Sequence, residues 1–243
     1  MLELSIFSQE TFQWLEAIHQ HPTLSFYLTN RQAFRQFVEQ PFQGLMRQAA
    51  LQLPGFMRDH LETQRGIFSR FPKNDFGQGG AWDHYWGAFY PKGSRRIADA
   101  QLAVWLDRQR FHISFYIGPY GLTQRQRFKR NCSKYLDILP SLLRNLVENP
   151  RILLTWQGEE EVDTEGSIIA ERLMSWEDWL SAPDQGDYLA RIPFTSQAVL
   201  HIPGSNLVSQ VADTLTAYFP LALLTTEEDP IPLIKAFLEI NKQ

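Results

Sequence analysis

The residue types able to do chemistry crowd into one stretch of this sequence. Residues 70–96 run RFPKNDFGQGGAWDHYWGAFYPKGSRR. Here Arg70, Lys73, Lys92, Arg95 and Arg96 bracket a segment carrying Trp82, Tyr85, Trp86, Phe89 and Tyr90. Cations that neutralise a phosphate backbone, interleaved with rings on which bases stack, are what nucleic-acid binding requires. The polar faces of the next predicted strands add Gln101, Trp105, His112, Ser114 and Tyr116. The run YGLTQRQRFKR over residues 120–130 then places Arg125, Arg127, Lys129 and Arg130 at a predicted helix start. Cations there oppose the helix dipole, a cost that a nearby anion or acidic partner offsets.

Other chemistries find less support. The nearest text to a phosphate-binding loop is GAFYPKGS at residues 87–94, where the lysine precedes the glycine and Pro91 removes an N–H. It is not a Walker A loop. The glycines at 77, 79 and 80 lack dinucleotide-binding spacing and read as an ordered loop or bulge. No Gly-x-Ser-x-Gly elbow is present. The single cysteine, Cys132, excludes a disulfide framework and multi-cysteine zinc sites. Asp75, Asp83 and His84 are the acid–base candidates of a small-ligand enzyme. They complete no catalytic set, and no Asp-x-Lys or Glu-x-Lys triplet marks a metal-dependent nuclease core. The six histidines are scattered, and neither a metal nor a cofactor is expected.

The elements that must position these groups follow from periodicity. Residues 1–62 read as helical: Ser8 as an N-cap, a turn at His21 and Pro22, a second helix capped by Asn30, a third begun by Pro41, and a helical turn over residues 56–62. Three strands are predicted over residues 82–90, 100–107 and 111–118. In the last two, Leu102, Val104 and Leu106, then Phe111, Ile113, Phe115 and Ile117, alternate with polar residues. That period marks an antiparallel sheet with one covered face. Residues 107–110 are short enough for a hairpin. A long helix is predicted over residues 123–148, with Thr123 and Gln126 as a capping box and Pro140 kinking or splitting it. The part from 151 to 243 is mixed: a strand at 151–156, an acidic turn at 158–163, a helix from Ser175, strands at 188–195 and 198–202, a helix over 205–218, and a last helix from Pro230–Pro232 onward. The fold class is α+β, an antiparallel sheet flanked by helices, in a single domain of 243 residues.

The formal net charge of −4 argues against a strongly electrostatic binder, but it is an average. Residues 58–130 hold 13 Lys and Arg against 6 Asp and Glu, a balance of +7. Residues 148–190 hold 2 against 11, a balance of −9. Those two segments must stay apart in space for the basic one to meet DNA. The acidic segment, with Trp176 and Trp179 read as exposed, supports a competing protein-interaction module. There is no signal-peptide pattern and no apolar run near the ~20 residues that span a bilayer. A cytoplasmic protein without a membrane partner is expected.

The wording of several stretches resembles a known group. FSRFPKNDFGQGGAWDHYWGAFYPKG (68–93), DAQLAVW (99–105), FYIG (115–118) and FPLALLTTEEDPIPLI (219–234) resemble the region ahead of the ATPase in bacterial McrBC-type AAA+ restriction proteins. The resemblance covers nearly the whole chain, and the sequence stops at Gln243, where the ATPase of that group would begin. It implies an N-terminal, non-catalytic specificity domain of a defence system that chooses DNA, often by a modified base, with an AAA+ ATPase and a nuclease as partners. Some such domains flip the base into an aromatic pocket. On that analogy Tyr85, Trp86, Trp105 and Tyr116 would stack. Arg70, Lys73, Lys92, Arg95, Arg96, Arg125 and Arg127 would contact phosphate.

Overall fold

The structure, a computed structural model, describes residues 4–73, 79–156, 160–162, 168–171, 173–183 and 186–241. The predicted Asp75, Gly77 and part of the acidic turn lie outside them.

The N-terminal layer is helical, as its periodicity predicts. Helix α1 (Gln9–Gln20) starts at Ser8, whose N–H donates to Thr11 Oγ1 at 3.2 Å, and it buries Leu15 and Ile18. Helix α2 (Leu24–Thr29) is capped by Thr23 and was not foreseen. Helices α3 (Arg31–Phe34) and α4 (Gln40–Gln52) are joined without a break by a π-helical turn over Arg35–Glu39. Pro41 therefore lies inside a helix instead of beginning one. Proline lacks an N–H and its ring crowds the carbonyl four residues back. The wider turn accommodates it, with Gln40 N–H donating to Arg35 O. The carbonyl left over, on Phe37, accepts from Thr11 Oγ1 at 2.6 Å. Helix α5 (Gly55–His60) ends the layer.

Six strands form one sheet, antiparallel at every pairing, in the order β1-β2-β3-β4-β8-β5. They are β1 (Leu61–Glu62), β2 (Tyr85–Pro91), β3 (Gln101–Leu106), β4 (Arg110–Ile117), β5 (Leu153–Trp156) and β8 (Tyr188–Thr195). The protein is thus α+β, and strands from both sides of residue 150 share the sheet. Gly87 sits mid-strand because a Cβ there would meet Ile67 O and the rings of Phe42 and Phe68 at 3.2 Å. The segment before β2 can approach only a glycine. The three predicted strands are found within three residues of their expected ends. Asp107 closes the β3–β4 hairpin, its Oδ1 accepting from the N–H groups of Gln109 and Arg110 at 2.8 Å each.

The predicted long helix is three pieces: α6 (Leu122–Lys134), α7 (Leu139–Leu142) and α8 (Arg144–Val147). Pro140 enters the first turn of α7, where a missing N–H costs nothing, so the break falls before it. Gly121, not Thr123, is the N-cap of α6. Beyond residue 150, Glu160–Val162 (β6) pairs with Ile168–Glu171 (β7) as a two-stranded ribbon, so part of the predicted acidic turn is strand. Helix α9 (Trp176–Ser181) starts at Ser175 as expected, its Oγ accepting from Asp178 N–H. Trp179 is fully buried against Phe115, Phe128 and Tyr188, and Trp176 is only partly exposed. Of the two tryptophans read as exposed, Trp179 is core and Trp176 is half-buried against it. Residues read as a strand near 200 form helix α10 (Ser196–Leu200), capped by Thr195.

Helix α11 (Gly204–Thr226) runs two turns past its expected end, straight through Pro220, and α12 (Ile231–Ile240) follows. By length and composition α11 could cross a membrane, but it is largely buried within the fold, against α4, α6, β3 and β4. It is the core helix. The sheet face carrying Phe89, Leu102, Val104, Ile113, Phe115 and Ala190 packs into this helical layer. The candidate site lies on the other face.

Candidate nucleic-acid interface

Strand alternation sends one side chain in two to the face away from the core. Register puts Trp86 of β2 opposite Trp105 of β3, and Trp105 opposite His112 of β4. The next row is small, Ala88, Ala103 and Ser114, and Arg191 of β8 extends it. Two local devices fix the tryptophans. Trp86 exchanges backbone and side-chain hydrogen bonds with Ser69. Trp105 donates its indole N–H to Asp107 Oδ2 at 3.3 Å.

A continuous ladder of rings crosses this face. The ammonium of Lys73 lies 4.3 Å from the Trp82 ring centre. Trp82 tilts against His84 at 5.2 Å, His84 stacks on Trp105 at 3.9 Å, and Trp105 lies parallel to His112 at 5.9 Å. Burial, with Arg191 and Arg110 adding, holds His112 well below the usual imidazole range. It is neutral at pH 7 and its ring is an apolar rung. Beside the ladder, the 3-10 turn Arg96–Ala98 packs on β2 and sets the Arg96 guanidinium 4.3 Å from the Trp86 ring centre.

One carboxylate ties this face to the helical layer. Asp83 accepts from His84 Nδ1 at 3.1 Å and from His19 Nδ1, on α1, at 2.8 Å. The hydrogen bond from His84, then that from His19, hold the Asp83 carboxyl below the usual carboxylate range despite its partial burial. A carboxylate on an imidazole is the orienting half of a nucleophilic triad. Its other half is missing: among the described residues the second ring nitrogen of His84 makes no hydrogen bond. The same residues hold no cluster of three or more His, Cys, Asp and Glu placed for a metal ion.

The structure sorts the sequence candidates sharply. Trp86, Trp105 and Tyr116 share the outer sheet face, with Lys73 and Arg96 against it. Arg70 lies close enough to Arg96 to oppose its charge. Lys92 and Arg95 are exposed on the β2–β3 connection. Three candidates belong elsewhere. Tyr85 points into the core, stacked on Phe71 and accepting from Gln43. Arg125 is buried, donating to Gly118 O at 2.7 Å and pairing with Asp187. Arg127 donates to Thr225 O and Thr226 O at 3.1 Å each, and its Nε pairs with Glu228. Arg130 also pairs with Glu228. The cations at the start of α6 thus meet carbonyls at the end of α11 and an acidic residue just beyond it. The acidic partner their placement requires is internal. Tyr116 is pinned too, its hydroxyl donating to Asp187 at 2.6 Å.

Trp82, His84, His112 and Arg191 were not assigned to the site from sequence. Strand alternation from Trp86 and Trp105 would have found His112, already on a predicted polar face. His84 and Trp82 precede β2, where no period applies. No protein-family model matches this chain, and no curated protein matches it either.

Proposed function

We propose that this chain is a nucleic-acid-recognition module without catalysis of its own, and that it binds through the outer face of the sheet. The observation that carries the reading is the ring ladder from Trp82 to His112, with Lys73 at one end, Arg110 and Arg191 near the other, and Arg96 alongside. Aromatic rings edged by cations suit bases and their phosphates. The most accessible ring is Trp82, at 38% exposure. Trp105 already carries His84, and Trp86 carries Arg96. Trp82 carries the Lys73 ammonium, so stacking there displaces one lysine head group, whereas stacking on Trp105 requires His84 to move.

The resemblance to the specificity domains of McrBC-type restriction proteins supports DNA as the nucleic acid and a modified base as its mark. Fluorescence anisotropy with labelled single-stranded, duplex and methylated duplex DNA, titrated at several salt concentrations, tests the reading. Binding that weakens steeply with salt is expected. Trp82→Ala is expected to weaken it by about 1–3 kcal/mol, the range for one lost base–ring stack. Absence of binding to all three DNAs at low salt overturns the proposal. The competing protein-interaction reading keeps its acidic segment but loses Trp179, which is core.

A further inference from the structure

Arg96 is a cation in a place that does not favour one. Its guanidinium is half-buried, and its Nη1 is shut off from solvent with no hydrogen-bond partner among the described residues. Among the described residues no carboxylate lies within 4.0 Å of it, and the neighbouring Arg70 repels it. Its guanidinium rests on the face of Trp86, with Tyr90 and Tyr85 nearby. A buried charge is normally paired and hydrogen-bonded, because removal from water is costly. Here the fold holds the charge in position and leaves the counter-ion out.

We infer that Arg96, seated on Trp86, is a preformed subsite for one phosphate oxyanion. With Nη1 shut off, the Nε–Nη2 edge of the guanidinium is the one that offers parallel N–H donors to two phosphate oxygens, a geometry that lysine lacks. The indole behind it holds the fork's plane in place, so little side-chain freedom is lost on binding. Arg70, whose charge opposes that of Arg96, adds attraction once a phosphate anion is bound. The inference rests on the nucleic-acid reading for the origin of the phosphate: an internal diester or a strand-terminal monoester.

Isothermal titration of the full chain with inorganic phosphate tests the subsite, with Arg96→Gln and Arg96→Lys as variants. Saturable binding to wild type is expected, weakened at least about tenfold in Arg96→Gln and by a smaller factor in Arg96→Lys, which keeps charge but loses the fork. The melting temperature of Arg96→Gln is expected to hold or rise, since a desolvated cation is removed. A merely structural Arg96 would instead lower it. No phosphate binding by wild type, or equal binding by wild type and Arg96→Gln, overturns the subsite. Oligonucleotides ending in hydroxyl, 5′-phosphate or 3′-phosphate separate the two sources. A gain from a terminal phosphate that Arg96→Gln abolishes assigns the monoester. Equal affinity of the three, reduced alike in Arg96→Gln, assigns the diester. Oligonucleotide binding that survives unchanged in Arg96→Gln overturns the subsite and leaves the nucleic-acid reading standing. Phosphate binding without oligonucleotide binding does the reverse.

Discussion

At the scale of single residues, a side chain's role is decided by what already holds it. Tyr85 and Trp86 are neighbours in a chemically rich stretch, and only strand alternation separates a core ring from a surface one. That separation was legible in principle, since the partners of Trp86 and Trp105 lie on predicted polar faces. The fates of Arg125 and Arg127 were not legible, because their carboxylate partners are more than 60 residues away in sequence. Arg125→Gln should destabilise the fold by roughly 3–5 kcal/mol, as expected when a buried pair loses one member and leaves the other charge in place. Urea unfolding would measure it, and the folded fraction should bind DNA as wild type does. Asp83 gives a prediction in pH. Its folded pKa is depressed, so its stabilisation is complete above the unfolded value of about 3.9 and disappears as pH falls below it. Asp83 is 40% exposed, which limits the effect through solvent screening. Asp83→Asn is expected to lower the melting temperature by about 1–3 °C at pH 6, with the gap to wild type closing below about pH 4. A gap that is constant from pH 3 to 7 would show that the bridge from His19 to His84 does not depend on the carboxylate's charge.

Among the elements, strands were more legible than helices. Period-two alternation over β3 and β4 fixes both their type and their facing, because an error of one residue would turn every apolar group outward. Helix ends depend on tertiary partners that a local pattern does not contain. Pro41 reads as a helix start and Pro220 as lying beyond a helix end, and both lie inside helices. In the first case the compensation is visible: the π-helical turn relieves the ring, and Thr11 supplies the donor that Pro41 cannot. Thr11 is fully buried, so Thr11→Val should leave Phe37 O without a donor at a cost of about 1–3 kcal/mol. Pro41→Ala returns an N–H to the helix. If the account is right, the Thr11→Val cost measured in the Pro41→Ala background is smaller by about 1 kcal/mol, the net value of a typical hydrogen bond. Additive costs in chemical denaturation would mean that the two residues are uncoupled and that the π turn has another cause.

For the whole molecule, the question set by the sequence is whether the +7 and −9 segments cancel. Among the described residues Arg125–Asp187 is the ion pair that joins them, and Arg127 and Arg130 are neutralised instead by Glu228 of the last helical pair. Arg70, Lys73, Lys92, Arg95 and Arg96 have no carboxylate within 4.0 Å among the same residues; Lys73 and Arg96 lie against rings of the candidate site, Arg70 near Arg96, and Lys92 and Arg95 on the β2–β3 connection. The net charge of −4 therefore coexists with a local cationic field. This arrangement predicts a number that neither the composition nor the resemblance supplies. If all five of these cations displace counter-ions from a single strand, the slope of log K against log salt is about −3.5, from roughly −0.7 per phosphate neutralised. Were Arg125, Arg127 and Arg130 also engaged, it would steepen to about −5.6. Removing Arg95 should flatten the slope by about 0.7 and weaken binding to every sequence alike, because a phosphate contact carries no base information. Removing Arg127 should leave the slope unchanged and appear only as lost stability where α6 meets the end of α11. A slope that responds to Arg127 and not to Arg95 would move the binding surface to the far side of the molecule, onto the helices, and would leave the ring ladder as packing.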